Sequence, residues 1–288
     1  MSRRRTSASL EATAHFQLDK RLSLAELDYQ FLTPLRDLII FAGARPSWIH
    51  QLSIADLSDI DARSAEAYAA QRTIVRAPGV PRPPRISSSY YSLMLNPGSV
   101  GDAPTTLHNW FSMHDRLGPV WPLFFTTLAR QELPIENQLV NLAAFSEGYH
   151  RTLHDEPPLS PAEDQETREA MLQSVQPAHQ RRVYRQALIH ANSQSLAERT
   201  KWLATRAAAV LSLWELDVDL LASEVSHTRN WLAHWGKRGK HVQEGNALVR
   251  LLRRLELVLR TNLLLDLELT DEEVALQVAS GMRLAQLP

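Results

Sequence analysis

The sequence predicts an all-α fold: a helical bundle preceded by a short, partly helical N-terminal region and a Pro-rich linker. Three observations carry this expectation. Apolar residues recur at three- and four-residue spacing through most of the chain, which is the repeat of one helix face. Helix-start signals stand at Ser195–Glu198 and Thr270–Glu273, where a hydroxyl residue precedes a glutamate by three positions. Only one short stretch, Ser89–Leu95, reads as a strand. Amphipathic helices joined by short loops must bury their stripes on one another, and a bundle results.

The elements follow in order. Residues 1–20 read as a flexible tail. Residues 21–75 form the partly helical N-terminal region: Leu24, Leu27, Phe31, Leu35, Leu38 and Ile39 keep helical spacing within a broken pattern that runs to about Leu57. Pro34 falls inside that pattern and predicts a kink or restart. Pro46 marks a turn. Residues 76–106, opening on the breaker cluster Pro78–Arg85, read as a linker with at most a hairpin. Residues 107–288 read as one helical domain. Gly118-Pro-Val-Trp-Pro122 starts a helix that continues through Leu123–Arg130. Leu139, Leu142, Ala143, Ser146, Tyr149, His150 and Leu153 stripe the next one. A helix is expected from Pro161 to about Val175, and a short one over His179–Ile189, with Pro177 between them. From the Ser195 cap, Leu203, Ala207, Val210, Leu211, Trp214, Val218, Leu221 and Val225 predict one long helix ending near Gly236. Leu248 to Leu263 stripe another, and Thr270 caps a last short one.

Composition narrows the function classes. The chain has 288 residues and no cysteine, so disulfide frameworks, thiolate metal sites and cysteine nucleophiles are excluded. No window has the apolar length of a membrane span, and no apolar run of about 7–15 residues follows the basic opening Met1–Arg5. The expectation is a cytoplasmic protein with no membrane partner. The net charge of −1 hides a segregation. Arg229, Lys237, Arg238, Lys240, Arg250, Arg253, Arg254 and Arg260 are opposed within their stretch only by Glu244 and Glu256. Asp155–Glu169 carries six acids against Arg168. The basic stretch is either an anion-binding segment or a solvated helix face.

One position breaks the pattern. The stripe carried on from Val225 reaches Arg229, in the text Ser226-His-Thr-Arg-Asn-Trp-Leu-Ala-His-Trp-Gly236. Asn230 and His234 are four residues apart and share a face. Arg229 and His234 stand about 140° apart on an ideal helix, so the arginine needs its long stem, a distortion, or a second copy of the helix across a two-fold axis. Arginine with histidine, and no carboxylate cluster, suits RNA cleavage. RNA brings its own nucleophile, the 2′-OH; histidine moves the proton, and arginine holds the phosphate. Neither metal nor cofactor is called for, and a homodimer would bring two sets together. The plain alternative is that Asn230 and His234 cap the helix end while Arg229 pairs with Glu224 or Glu256. Trp231 and Trp235 read first as core or interface packing.

The string Thr228–Gly236 resembles the signature of HEPN ribonuclease domains. Phe145-Ser-Glu-Gly-Tyr-His-Arg151, Ala191-Asn-Ser-Gln-Ser-Leu-Ala-Glu-Arg199, and the helix Leu248–Leu265 with Leu267-Glu-Leu269 resemble segments of the ApeA-like HEPN proteins of bacterial anti-phage defence. The resemblance covers about residues 107–287. It implies a metal-independent endoribonuclease leaving a 2′,3′-cyclic phosphate, acting on tRNA or other RNA in abortive infection, under a phage-derived trigger. It implies Arg229, Asn230 and His234 as catalytic residues. Two departures stand out. Ser193 replaces the family's usual Glu, and residues 21–75 look like a remnant of a larger N-terminal domain. The alternative implied by the fold alone is a non-catalytic binding or regulatory module.

Two further groups stand out by their spacing. Glu147, His150 and His154 could present metal ligands on one helix; alternatively Glu147 pairs with Arg151, or Glu147 and His150 stand behind the catalytic groups as supporting residues. Lys237, Arg238, Lys240, Arg250, Arg253 and Arg254 are the expected RNA-tracking residues, with a solvated face as the alternative.

Overall fold

The computed structural model describes residues 22–43, 52–54, 73–75, 95, 100–129, 132–176, 180–211, 215–234 and 238–282. The fold is all-α, with one short antiparallel strand pair. Helix α1 (Leu24–Leu27) runs through a π-helical turn (Asp28–Leu32) into α2 (Thr33–Gly43). Then come β1 (Leu52–Ile54), β2 (Thr73–Val75), α3 (Ala103–Leu117), a 3₁₀ turn (Gly118–Val120), α4 (Trp121–Ala129) and α5 (Ile135–Leu153). The remainder is α6 (Pro161–Ser174), α7 (Arg181–Ala187), α8 (Leu196–Val210), α9 (Val218–His234), α10 (Gly245–Asp266) and α11 (Asp271–Met282).

The restart expected at Pro34 takes the form of the π-turn just before it. Proline lacks an N–H and crowds the preceding turn, so the helix widens there, and the Thr33 N–H reaches back to the Asp28 carbonyl. The Pro34 carbonyl accepts the Trp110 indole N–H at 2.8 Å. Ile40 and Phe41 join Trp110, Trp121 and Phe125 in the core, and Trp110 meets Trp121 edge-on at 5.0 Å. On α10, Leu251, Leu255, Val258, Leu259 and Leu263 are fully buried. Burying each such side chain contributes about 1.5–3 kcal/mol.

Three expectations change. First, the helical reading toward Leu57 fails at Leu52–Ile54, which pair with Thr73–Val75 as strands, Leu52 opposite Val75. Short β-branched runs satisfy helical spacing and strand propensity equally. Second, the single helix from Ser195 is two. The capping box at Ser195 is present, with its hydroxyl accepting from the Glu198 N–H, but α8 stops at Val210. A new helix starts on Asp217, whose carboxylate accepts the Leu220 N–H at 2.9 Å. The apolar spacing continues unbroken across the gap, which hid the break. Third, the expected stripe through Arg229 is displaced by one residue: Leu221, Val225 and the fully buried Thr228 face inward, and Leu232 packs against the core. The tail 1–20, most of the linker including Ser89–Met94, and Pro177, Trp235, Gly236 and Lys237 lie outside the described residues.

Candidate active site

The motif occupies the last turns of α9. Ser223, His227, Asn230 and His234 recur at four, three and four residues, so they lie within about 60° of one another around the helix. This face turns outward, with His227, Asn230 and His234 exposed. Arg229 starts from the flank, and its long stem swings onto this face: Nη1 donates to the Asn230 Oδ1 at 3.1 Å. The side chain thus covers much of the angular gap that separates positions 229 and 234. No hydrogen bond joins Arg229 to His234 among the described residues.

The inner face fixes what lies beside the motif. The Thr228 hydroxyl accepts the Gln243 backbone N–H at 3.0 Å. Glu224, nearly buried, accepts from the Gln243 side-chain amide and from Arg254 Nη2, each at 2.9 Å. These bonds pin the loop that carries Arg238, Lys240 and His241 against α9. They also decide the pairing question. Glu224 is taken by Arg254 and Gln243, and Glu256 by Arg260 at 2.8 Å. Among the described residues no carboxylate neutralises Arg229.

The expected RNA-tracking residues divide. Arg254 is half-buried and pairs through Nη2 with Glu224. Arg238 forms a surface pair with Glu244 at 2.9 Å, a contact of small energetic weight. Lys240, Arg250 and Arg253 are exposed and have no carboxylate partner among the described residues. Lys237 lies outside the described residues.

Glu147 and His150 are a correction. The His150 Nδ1 accepts from Arg199 Nη1 at 3.0 Å, and its ring packs edge-on to Trp202 at 4.8 Å. Its neighbour His154 donates to Asp266 at 2.9 Å. Asp266 ends α10, whereas Thr228 meets Gln243 just before α10 begins. The 22 residues of α10 separate the two places by about 33 Å. His150 therefore stands at the opposite end of the bundle from His234 in the same protomer, and Glu147, one turn away, is bound to Arg151 at 2.8 Å. Neither supports the motif. Nor do Glu147, His150 and His154 converge: their side chains are committed to Arg151, Arg199 and Asp266, and no group of metal-ligating side chains occurs among the described residues.

The far end is a polar layer of its own. Asp266 accepts from the Tyr149 hydroxyl, from His154, and from Arg206 at 2.7 Å. Burial pushes its carboxyl up, but the bonds from His154 and Tyr149 and the Arg206 charge prevail and hold it below the usual carboxylate range. Burial, then the Arg199 cation, drives His150 down to about 4. At that pKa the ring is neutral near neutrality. With Nδ1 accepting from Arg199, the proton sits on Nε2, which is buried with no partner among the described residues.

Sequence reasoning missed His227 and His241. The His227 Nδ1 lies 2.8 Å from the Ser223 carbonyl, which can only accept, so Nδ1 carries a proton. The His241 ring stands 5.4 Å from it. The signal for His227 was in plain view: seven residues before His234 is the same helix face. His241 carried no such signal, because only the Thr228–Gln243 bond brings its loop there.

The Apea-like HEPN family model matches residues 140–273, from within α5 to within α11, so the whole motif lies inside it. No curated protein and no solved structure matches the chain. No helix among the described residues is long and apolar enough to cross a membrane. Residues 140–273, with Arg229, Asn230 and His234 on the outer face of α9, are thus similar to the Apea-like HEPN family, a domain type associated with ribonuclease and defence roles.

Proposed function

We propose that this chain is a metal-independent endoribonuclease that cleaves RNA, tRNA included, in bacterial anti-phage abortive infection. The observation that carries the reading is the outer face of α9: Arg229, with no carboxylate partner among the described residues, is drawn round to Asn230 beside His234. An uncompensated guanidinium in the same last turns of a helix as an exposed imidazole is poor structural design and good phosphate chemistry.

The step balances without a metal. Neutral His234 takes the proton of the 2′-OH, and the 2′-oxygen attacks the adjacent phosphorus. The P–O5′ bond breaks, the leaving 5′-oxygen takes a proton from water, and the His234 imidazolium returns its own proton to solvent. The products are a 2′,3′-cyclic phosphate and a 5′-hydroxyl. Arg229 holds the non-bridging oxygens and stabilises the charge that builds on them, while Asn230 orients the guanidinium. Lys240, Arg250 and Arg253 hold the neighbouring backbone. A homodimer packed on the α9 ends would supply a second Arg–His set, and a phage-derived trigger would gate it.

The test is end-labelled tRNA and single-stranded RNA incubated with the purified chain in EDTA. Expected are fragments ending in 2′,3′-cyclic phosphate, and a loss of about 10²–10⁴-fold in rate for His234→Ala with an unchanged melting temperature. Equal cleavage by His234→Ala overturns the mechanism. The absence of an Arg229–His234 hydrogen bond among the described residues favours one second reading, a non-catalytic binding module. That reading predicts RNA retained but never cut.

A further inference from the structure

A cleft of about 170 Å³ opens at the far end of the bundle, between α3, the end of α5 and the end of α10. Asn109, Ser112, Met113 and Arg116 line one wall; their spacing of three, one and three residues puts them on one face of α3. Leu153, His154, Asp266 and Glu268 line the other. The cleft lies about the length of α10 from the Arg229–His234 face. Its α3 wall precedes the matched HEPN residues, so the cleft joins the domain to the segment before it.

Its polar groups are not self-sufficient. The side-chain nitrogen of Asn109 is buried and has no hydrogen-bond partner among the described residues. A buried donor in that state calls for an acceptor from outside. Arg116 has no carboxylate partner among the described residues, and Glu268 no cationic one. They share the cleft without bridging each other. Asp266, by contrast, is already served by Tyr149, His154 and Arg206. Glu268 is held at φ 63°, in the left-handed region just past the end of α10, where glycine is the usual residue. A glutamate kept in that conformation at a binding cleft points to a use for its side chain.

We propose that this cleft binds a small zwitterion of the α-amino-acid class, its carboxylate on Arg116 and the Asn109 amide, its ammonium on Glu268. Met113 and Leu153 give the side chain an apolar wall. The cleft is smaller than the roughly 300 Å³ at which ordinary ligand pockets begin, which suits a molecule of this size. A phosphate dianion fits poorly, because two carboxylates line the same space. The site stands apart from the nuclease reading, and its test does not use RNA.

The test is calorimetry and thermal shift on the full chain with the twenty free L-α-amino acids, one at a time at about 10 mM. Controls are the matching amine without the carboxylate, the acid without the amine, inorganic phosphate and AMP. Expected is binding of at least one amino acid and of neither half-molecule. Arg116→Gln and Glu268→Gln should each weaken it by about tenfold or more. Glu268→Gly should raise the melting temperature of the free protein yet abolish binding, a split that a merely structural glutamate would not give. Three results overturn the proposal: no amino acid binds, binding is unchanged in both Gln variants, or phosphate or AMP binds in its place.

Discussion

The two ends of α10 use the same residue types in opposite ways. At its C-terminal end Asp266, Arg206, His154 and Tyr149 bond to one another, and next to them His150, Arg199 and Asp155 form a second, linked set. Near its N-terminal end, on α9, Arg229, Asn230 and His234 face outward and share a single side-chain bond. A histidine and an arginine are present in both places. What differs is whether the arginine's charge is answered inside the protein: Arg206 and Arg199 meet Asp266 and Asp155, whereas Arg229 meets no carboxylate among the described residues. Answered, the cation specifies packing; unanswered, it is free for an anion from outside. His150 is buried and His234 exposed, yet it is the exposed histidine whose neighbouring arginine has no carboxylate among the described residues.

The comparison can be broken most forcefully at Asp266. Asp266→Ala strands Arg206 and the Tyr149 hydroxyl in a largely buried site and should cost about 3–5 kcal/mol in urea unfolding. RNA binding per folded molecule should not change. The next effect is pH dependence at His150. Its pKa is about 4 folded against 6.5 for the free side chain, so between those values the unfolded chain takes a proton that the folded chain refuses. Stability is whole above pH 6.5 and falls as pH drops toward 4, by up to about 3 kcal/mol. Unfolding measured along that range should give a shallower slope in His150→Gln. The smallest effect separates two arginines of one helix. Arg254→Ala leaves Glu224 half-served and should cost about 1–3 kcal/mol, whereas Arg250→Ala should stay within about 0.5 kcal/mol. If Arg250 tracks RNA, its loss should instead lower the salt dependence of binding by about one unit of slope.

Legibility in the sequence followed the range of the interactions. The α5 stripe, the caps at Ser195 and Thr270 and the α9 motif depend on residues within a few positions of one another, and all were readable. The break between α8 and α9 was not, because Leu211, Trp214 and Val218 carry the spacing across it while the Asp217 cap is a single residue. Arg229 stands out in the sequence where Thr228 does not, because a threonine breaks an apolar stripe less visibly than an arginine, although it is the threonine that faces in. The Asp266 layer joins residues 117 and 112 positions apart. In the sequence Asp266 is simply the polar residue that ends a run of leucines.

Gly148, in the segment Phe145–Arg151, has the tightest surroundings of the described glycines: a Cβ there would stand 2.4 Å from Val120 Cγ1. The helix α5 and the 3₁₀ turn before α4 touch through this one missing methyl group. The two positions are therefore coupled in volume: a methyl group at 148 fits only where the Val120 side chain moves aside or is made smaller.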